Sequence, residues 1–268
     1  NTEGLEWGQV YWYYKKWVDL KALVKQEYPC YAEEAFLASG RSVFDKEIIV
    51  QRKAELKKQH QERPYRIGRF SYRWNDPDTQ DRIVDDSIEW VDDLAGQIRV
   101  YEEPQYGFPY VVGGDTKGEG KDFYSGTVIN NVTGNRCATV HMQLNNSKPF
   151  TWQMYCLGRY FNNALVGIEM NWNTAPIEEL ERLNYPYQYV RQQYDQIGKK
   201  LVQRFGWRTD GNTRPLIIDK ETDVVDNYIY LINDIPTLDE MLSFVYDENN
   251  RPDAETGKHD DLLFSEMI

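Results

Sequence analysis

Two acidic residues close apolar stretches of the kind that form buried strands. Asp115 follows Tyr110-Val111-Val112-Gly113-Gly114, and Glu169 follows Ala164-Leu165-Val166-Gly167-Ile168. A third acidic feature, the pair Asp260-Asp261, comes after Gly257-Lys258-His259 and opens a final apolar helix. A lone buried acid is costly, and carboxylates brought together raise each other's pKa unless a cation intervenes. Mg2+ or Mn2+ suits such a set, because these ions favour carboxylate and water oxygens. Two ions held about 4 Å apart can hydrolyse a phosphodiester, one activating the attacking water and the other stabilising the departing 3′ oxygen. On this reading Asp115 bridges the ions, Glu169 and Asp261 hold one each, and Asp260 ligates or orients water. His259 shuttles a proton or bonds the scissile phosphate. Each residue also has a plainer role: a strand end, a satisfied buried acid, a helix cap.

Basic residues near these acids are the candidates for holding a DNA backbone. Lys117 and Lys121 lie in the glycine-rich loop after Asp115, and Arg214 lies in a later Thr-Arg-Pro stretch. Arg191, Lys199, Lys200, Arg204 and Arg208 make the best basic strip in an acidic chain. Net charge of −12 opposes a broad nucleic-acid surface. Duplex DNA must then be met through that strip, through bound cations, or through other parts of a larger machine.

The 268 residues, 41% hydrophobic and 14% aromatic, are enough to bury a real core and argue against disorder. No apolar run approaches the roughly 20 residues of a membrane span. Cys30, Cys137 and Cys156 are scattered without CxxC spacing, which reads as reduced thiols. Only three histidines are present, too few for a zinc site built on His and Cys clusters.

The elements that must position the acids follow from patterning. Residues 110–115, 123–130 and 137–144 read as strands, 150–161 as a helix and 164–169 as a further strand. The predicted class is α/β, a mixed sheet flanked by helices, with an N-terminal helical/β-ribbon arm. The helix-prone, charged residues 43–61 carry a thin apolar stripe and read as a surface helix or connecting arm. Residues 87–91 and 97–101 flank a turn and predict a β-ribbon. Tyr185, Tyr187 and Tyr189 alternate like a strand, and 191–205 reads as a hairpin. Thr237 with Glu240 forms a capping box. The abrupt start at Asn1, followed by Trp7, Trp12, Tyr13, Tyr14 and Trp17, suggests part of a longer protein, the aromatics serving packing or an interface with another domain.

Taken together these residues resemble the large terminase subunit of tailed bacteriophages, specifically its C-terminal nuclease with the preceding linker. The likeness rests on Gln26-Glu27-Tyr28-Pro29 with Ala32-Glu33-Glu34-Ala35-Phe36, and on Val112-Gly113-Gly114-Asp115 with Gly118 and Lys121-Asp122. Gly167-Ile168-Glu169-Met170-Asn171, Gly206-Trp207-Arg208-Thr209, Thr213-Arg214-Pro215 and Gly257-Lys258-His259-Asp260-Asp261 complete it. The resemblance implies a ribonuclease-H-like fold over residues 66–268, preceded by a linker arm over 1–65. It also implies two-metal cutting of duplex viral DNA during genome packaging, in the host cytoplasm at the procapsid portal rather than in the virion. The implied partners are the portal protein, a small terminase subunit and an ATPase domain of the same polypeptide. No GxxxxGK[ST] phosphate loop occurs in this chain, so it should not hydrolyse ATP alone. Two other readings compete: a resolvase-type nuclease of the same fold, and a module that only docks the motor on the portal.

Overall fold

A computed structural model describes residues 6–20, 28, 41–116, 123–195 and 198–268. The chain begins with helix α1 (Trp7–Leu20), strand β1 (Arg41–Ser42) and helix α2 (Lys46–Glu62), followed by β2 (Arg66–Ser71), β3 (Glu89–Asp92) and β4 (Ile98–Val100). Strands β5 (Tyr110–Asp115), β6 (Tyr124–Asn130) and β7 (Arg136–Met142) lead into α3 (Lys148–Tyr160), β8 (Leu165–Ile168) and α4 (Ala175–Arg182). Then come β9 (Val190–Asp195), β10 (Lys200–Phe205), α5 (Thr213–Tyr228), α6 (Ile235–Leu242), β11 (Phe244–Tyr246), β12 (Pro252–Ala254) and α7 (Asp261–Met267).

Val112, Val128 and Val140 are buried and alternate along their strands with Gly113, Thr127 and Thr139, so each strand presents a different set of residues to each face. The resulting seven-stranded sheet has the order β3-β2-β4-β7-β6-β5-β8. All neighbours are antiparallel except β5 and β8, which run in parallel. A parallel return needs a crossover, and α3 supplies it between β7 and β8. The expected mixed α/β sheet flanked by helices is therefore present.

Each face is covered by helix at very close range. On one side α3 brings Met154 and Leu157, with Phe161 at its end, into a core with Val112, Val128, Val140 and Ile168. A Cβ placed on Gly126 would lie 2.7 Å from the Met154 sulfur. On the other side α7 crosses β5 and β6, and a Cβ on Gly113 would lie 2.2 Å from the Ser265 carbonyl oxygen. A second core on this side gathers Ile49, Leu56, Ile218, Leu238, Phe244 and Leu263.

Several local expectations are corrected by long-range packing. The helix at 43–61 is no surface arm: α2 buries Ile49 and Leu56, and β1 pairs with β11. Among the described residues, the packing of the later domain thus reaches back to residue 41. The expected β-ribbon does not form either, because β3 and β4 sit on opposite sides of β2. Their connection passes so close over β2 that a Cβ on Gly96 would meet the Gly68 carbonyl. Asp234, not Thr237, caps α6; its carboxylate accepts from the Thr237 N–H at 2.8 Å. Residues 185–189 are not a strand; they run beside β8 through a single bridge at Gln188. In α1, Trp7, Trp12, Tyr14 and Trp17 are exposed.

Gly113→Ala should lower stability by about 1–3 kcal/mol, the range for overpacking a filled core, because α7 must lift from β5. Urea denaturation of the variant checks this; an unchanged midpoint would show that α7 is not seated against β5.

Candidate active site

The strand register sets one row of side chains across the sheet. Asp115 pairs with Ser125, and Ser125 pairs with His141. On the other side Gly114 pairs with Ile168 in parallel, and the Glu169 N–H donates to the Gly114 carbonyl at 2.7 Å. Directly paired residues project to the same face, so Glu169, Asp115, Ser125 and His141 share one level on one face. That is the face covered by α7. The Ser125 hydroxyl donates to the Asp261 carbonyl oxygen at 2.6 Å, and Thr127 and Ser265 hydroxyls meet at 2.9 Å one turn further along. The start of α7 is thereby fixed above the row, with Asp261 between Asp115 and His141.

Glu169 and Asp261 are almost fully buried, at 4% and 7% exposure. Together with Asp115, Asp260 and His259 they line one cavity of about 450 Å3. The four acids and His259 expected from the sequence thus lie around one cavity. Burial pushes the Asp115 carboxyl well above its ordinary value of 3.8; the Glu169 charge, a hydrogen bond shared with Glu169, and the charges of Asp261 and Asp260 add to this. Burial, with Asp253, also pushes Asp260 up to about 7, against the pull of Arg214. Asp115, Glu169, Asp260 and Asp261, among the carboxyls that line this cavity, make an oxygen donor set that a divalent cation would satisfy. His259 is the more exposed member, its Nδ1 3.5 Å from the Asp261 Oδ2.

The entrance is built from the chain after the hairpin. The Trp207 N–H donates to the Ile168 carbonyl at 2.8 Å, which carries Thr209, Asp210 and Gly211 to the cavity wall. Asn171 donates to the Thr209 carbonyl. Arg214 lines the cavity, its guanidinium 4.5 Å from the Phe264 ring centroid and donating to the Pro252 carbonyl at 2.9 Å. Strands β9 and β10 form the expected hairpin as a separate two-stranded sheet. Arg191 and Arg204 stand directly opposite each other in it, and Lys199, Lys200, Arg204 and Arg208 are exposed. Burial, then Arg208 and Arg204, lower the Arg191 pKa. Lys117 and Lys121 lie outside the described residues, as does Cys30; Cys137 and Cys156 are buried free thiols.

Sequence reasoning missed His141 and Glu240. One ligand atom from each, with one from Asp261, lie within 4.8 Å of one another. The signal for His141 was its place in the alternation Cys137, Thr139, His141; Glu240 gave none, since its spacing from Thr237 mimics a cap.

Among solved structures the chain is similar to the large terminase nuclease from thermophilic phage G20c, at 18% identity and a TM-score of 0.51, over 65% of this chain and 88% of that one. The same nuclease with bound magnesium aligns at 17% identity and a TM-score of 0.52, over 65% and 87%. Its cobalt-bound form gives the same identity, score and coverage. No family model and no curated protein matches the sequence. The fold is accordingly that of these large terminase nucleases.

The raised carboxyl pKa values have a definite consequence for stability. Between the unfolded value of 3.8 and the folded value of about 7 for Asp260, the native state binds protons that the unfolded chain has released. Metal-free stability therefore falls as pH rises through that window and stays low above it. Asp115→Asn should raise the melting temperature in chelator at pH 8 by a few degrees and change it little at pH 4. Equal shifts at both pH values would show that Asp115 carries no such penalty.

Proposed function

We propose that this chain is a divalent-cation-dependent endonuclease that cuts duplex viral DNA during genome packaging. One observation carries the reading: Glu169, Asp115 and Asp261 converge on one face of a sheet whose fold is that of large terminase nucleases, one of them solved with magnesium. Asp115, Glu169 and Asp261 would hold Mg2+ or Mn2+, as two ions, with Asp260 beside them. When bound, such ions supply Lewis-acid activation of the phosphodiester and of the attacking water.

The remaining residues orient the substrate. His259, at the rim and beside Asp261, can hold or pass a proton at a phosphate oxygen. Arg214 is braced by Pro252 and Phe264 and offers a fixed guanidinium at the wall for a phosphate. The hairpin leads away from the same wall with Arg191 facing Arg204. Like charges placed directly opposite weaken a strand pair, a cost that a DNA phosphate offsets. Lys117 and Lys121 belong to the same proposed DNA-binding set. The duplex would be presented by a motor whose other parts are an ATPase domain of the same polypeptide, the portal protein and a small terminase subunit, at the procapsid in the host cytoplasm. No helix among the described residues is long and apolar enough to cross a membrane.

Purified protein with Mn2+ should nick and linearise supercoiled plasmid with little sequence preference. Loss of a supporting residue around a metal typically costs 10–100-fold; removing a ligand costs more, so Glu169→Gln should reduce cutting by over about a hundredfold. Undiminished cutting by folded Glu169→Gln would overturn the assignment. Preference for a four-way junction over linear duplex would favour a resolvase, and no Mn2+ uptake at millimolar metal would leave only portal docking.

Replacing Arg204 by Ala should also flatten the dependence of duplex affinity on salt. The slope of log affinity against log salt should change by about 0.9 for each phosphate that the variant no longer neutralises. Filter binding in Ca2+, across a salt series, measures it; an unchanged slope would remove the hairpin from the DNA path.

A further inference from the structure

We propose that His141, Glu240 and Asp261 form a second cation site, selective for a transition metal, that lies beside the carboxylate cavity and shares Asp261 with it. The three residues come from separate elements, β7, α6 and the start of α7, and one ligand atom from each falls within 4.8 Å of the others. Metal ligands around an ion bound at about 2.0–2.2 Å lie within such distances of one another.

Each ligand is held by something other than a metal. His141 is fixed in the strand row opposite Ser125 and stacks on Phe123 with ring centroids 4.1 Å apart. Its Nε2 is buried with no hydrogen-bond partner among the described residues, which is rare for a buried polar atom unless a ligand completes it. Glu240 is anchored by the Leu263 N–H, which donates to Oε2 at 2.9 Å. Asp261 is anchored through its backbone by Ser125.

The donor chemistry distinguishes this site from its neighbour. One imidazole nitrogen and two carboxylate oxygens suit Zn2+, Co2+ or Mn2+ better than Mg2+, which prefers an all-oxygen shell. His141 and Glu240 line a cavity of about 600 Å3, which leaves room for water at the remaining positions. Lys258 and His259 line both this cavity and the carboxylate one, so the two sites adjoin. Lys53, in the same cavity, is paired with Asp239.

Co2+ titration, followed by calorimetry and visible absorption, tests the site in the whole chain. Wild type should bind with a class of sites that His141→Ala and Glu240→Gln each weaken by more than about tenfold, while Asp115→Asn retains it. Retention in Asp115→Asn separates this site from the proposed nuclease centre, so either can fail without the other. Equal Co2+ stoichiometry and affinity in His141→Ala and wild type would overturn the proposal. If His141→Ala does not fold, anomalous diffraction at the cobalt edge from wild-type crystals decides. A peak bonded to His141 Nε2 supports the site, and peaks confined to Asp115 and Glu169 refute it.

Discussion

The seating of a seven-residue helix, α7 (Asp261–Met267), on two strands is the interaction on which the site depends. A helix this short has no stability of its own in water; it exists because the sheet holds it. Glycine at 113 lets its backbone approach β5, and hydroxyl groups of Ser125 and Thr127 fix its register over β6. That register is what places Asp261 above a row of residues drawn from four strands. A shift of one turn would move Asp261 about 5.4 Å along the axis and leave Asp115 and Glu169 without it.

The rest of α7 is clamped by polar pairs that a purely apolar core would not need. Glu266 near its end accepts from the Arg136 Nε at 2.8 Å, and the same guanidinium reaches Glu221 of α5 at 3.4 Å. Burial pushes Glu221 well above its usual range, the Glu266 charge adds to this, and Arg136 opposes it. Buried ion networks of this kind add little net stability but are costly to break, so they specify one arrangement over neighbouring ones. Arg99 with Asp234 does the same for α6 at 2.8 Å, with the Thr139 hydroxyl donating to the same carboxylate at 3.0 Å. Both helices that carry acids toward the site are thus locked to the sheet by arginines on β7 and β4. The strain of crowding Asp115, Glu169, Asp260 and Asp261 is tolerated because these anchors leave the helices nowhere else to go.

How much of this could be read from the chain follows from which interactions are local. Asp115 and Glu169 were legible because a buried strand that ends in an acid is anomalous within six residues, with no knowledge of the partner. The Asp260-Asp261 pair was legible as a helix start for the same reason. The convergence of these acids on one cavity depends on the strand order, which sets β8 beside β5 although two strands and a helix separate them in the chain. What escaped depended on partners distant in sequence. Nothing near residues 87–101 indicates that β2 will insert between two segments that look like a hairpin. Nothing near Thr237 shows that Asp234 takes the helix cap, freeing Glu240 to accept from Leu263. His141 offers only its place in the alternation of β7 until the register aligns it with Ser125 and Asp115.

The acidity of the chain, which taken as a net figure opposes any dealing with DNA, has a structural distribution that removes much of the conflict. Negative charge is concentrated where cations would enter, around Asp115, Glu169, Asp260 and Asp261, with Asp253 close enough to act on Asp260. Arg191 and Arg204 on the hairpin and Arg208 just past it lie near enough to disturb each other. The two regions meet at Trp207–Thr209, since the hairpin's exit strand bonds directly to the end of β8. Electrostatic attraction to a phosphate backbone acts over roughly a Debye length, about 8 Å at physiological salt, so on the proposed function this local division would count for more than the net figure. On the proposed function, a phosphate backbone drawn to the hairpin would lie beside the carboxylate cavity, because Trp207 joins the two, and divalent cations there would turn a repulsive pocket into one that accepts phosphate.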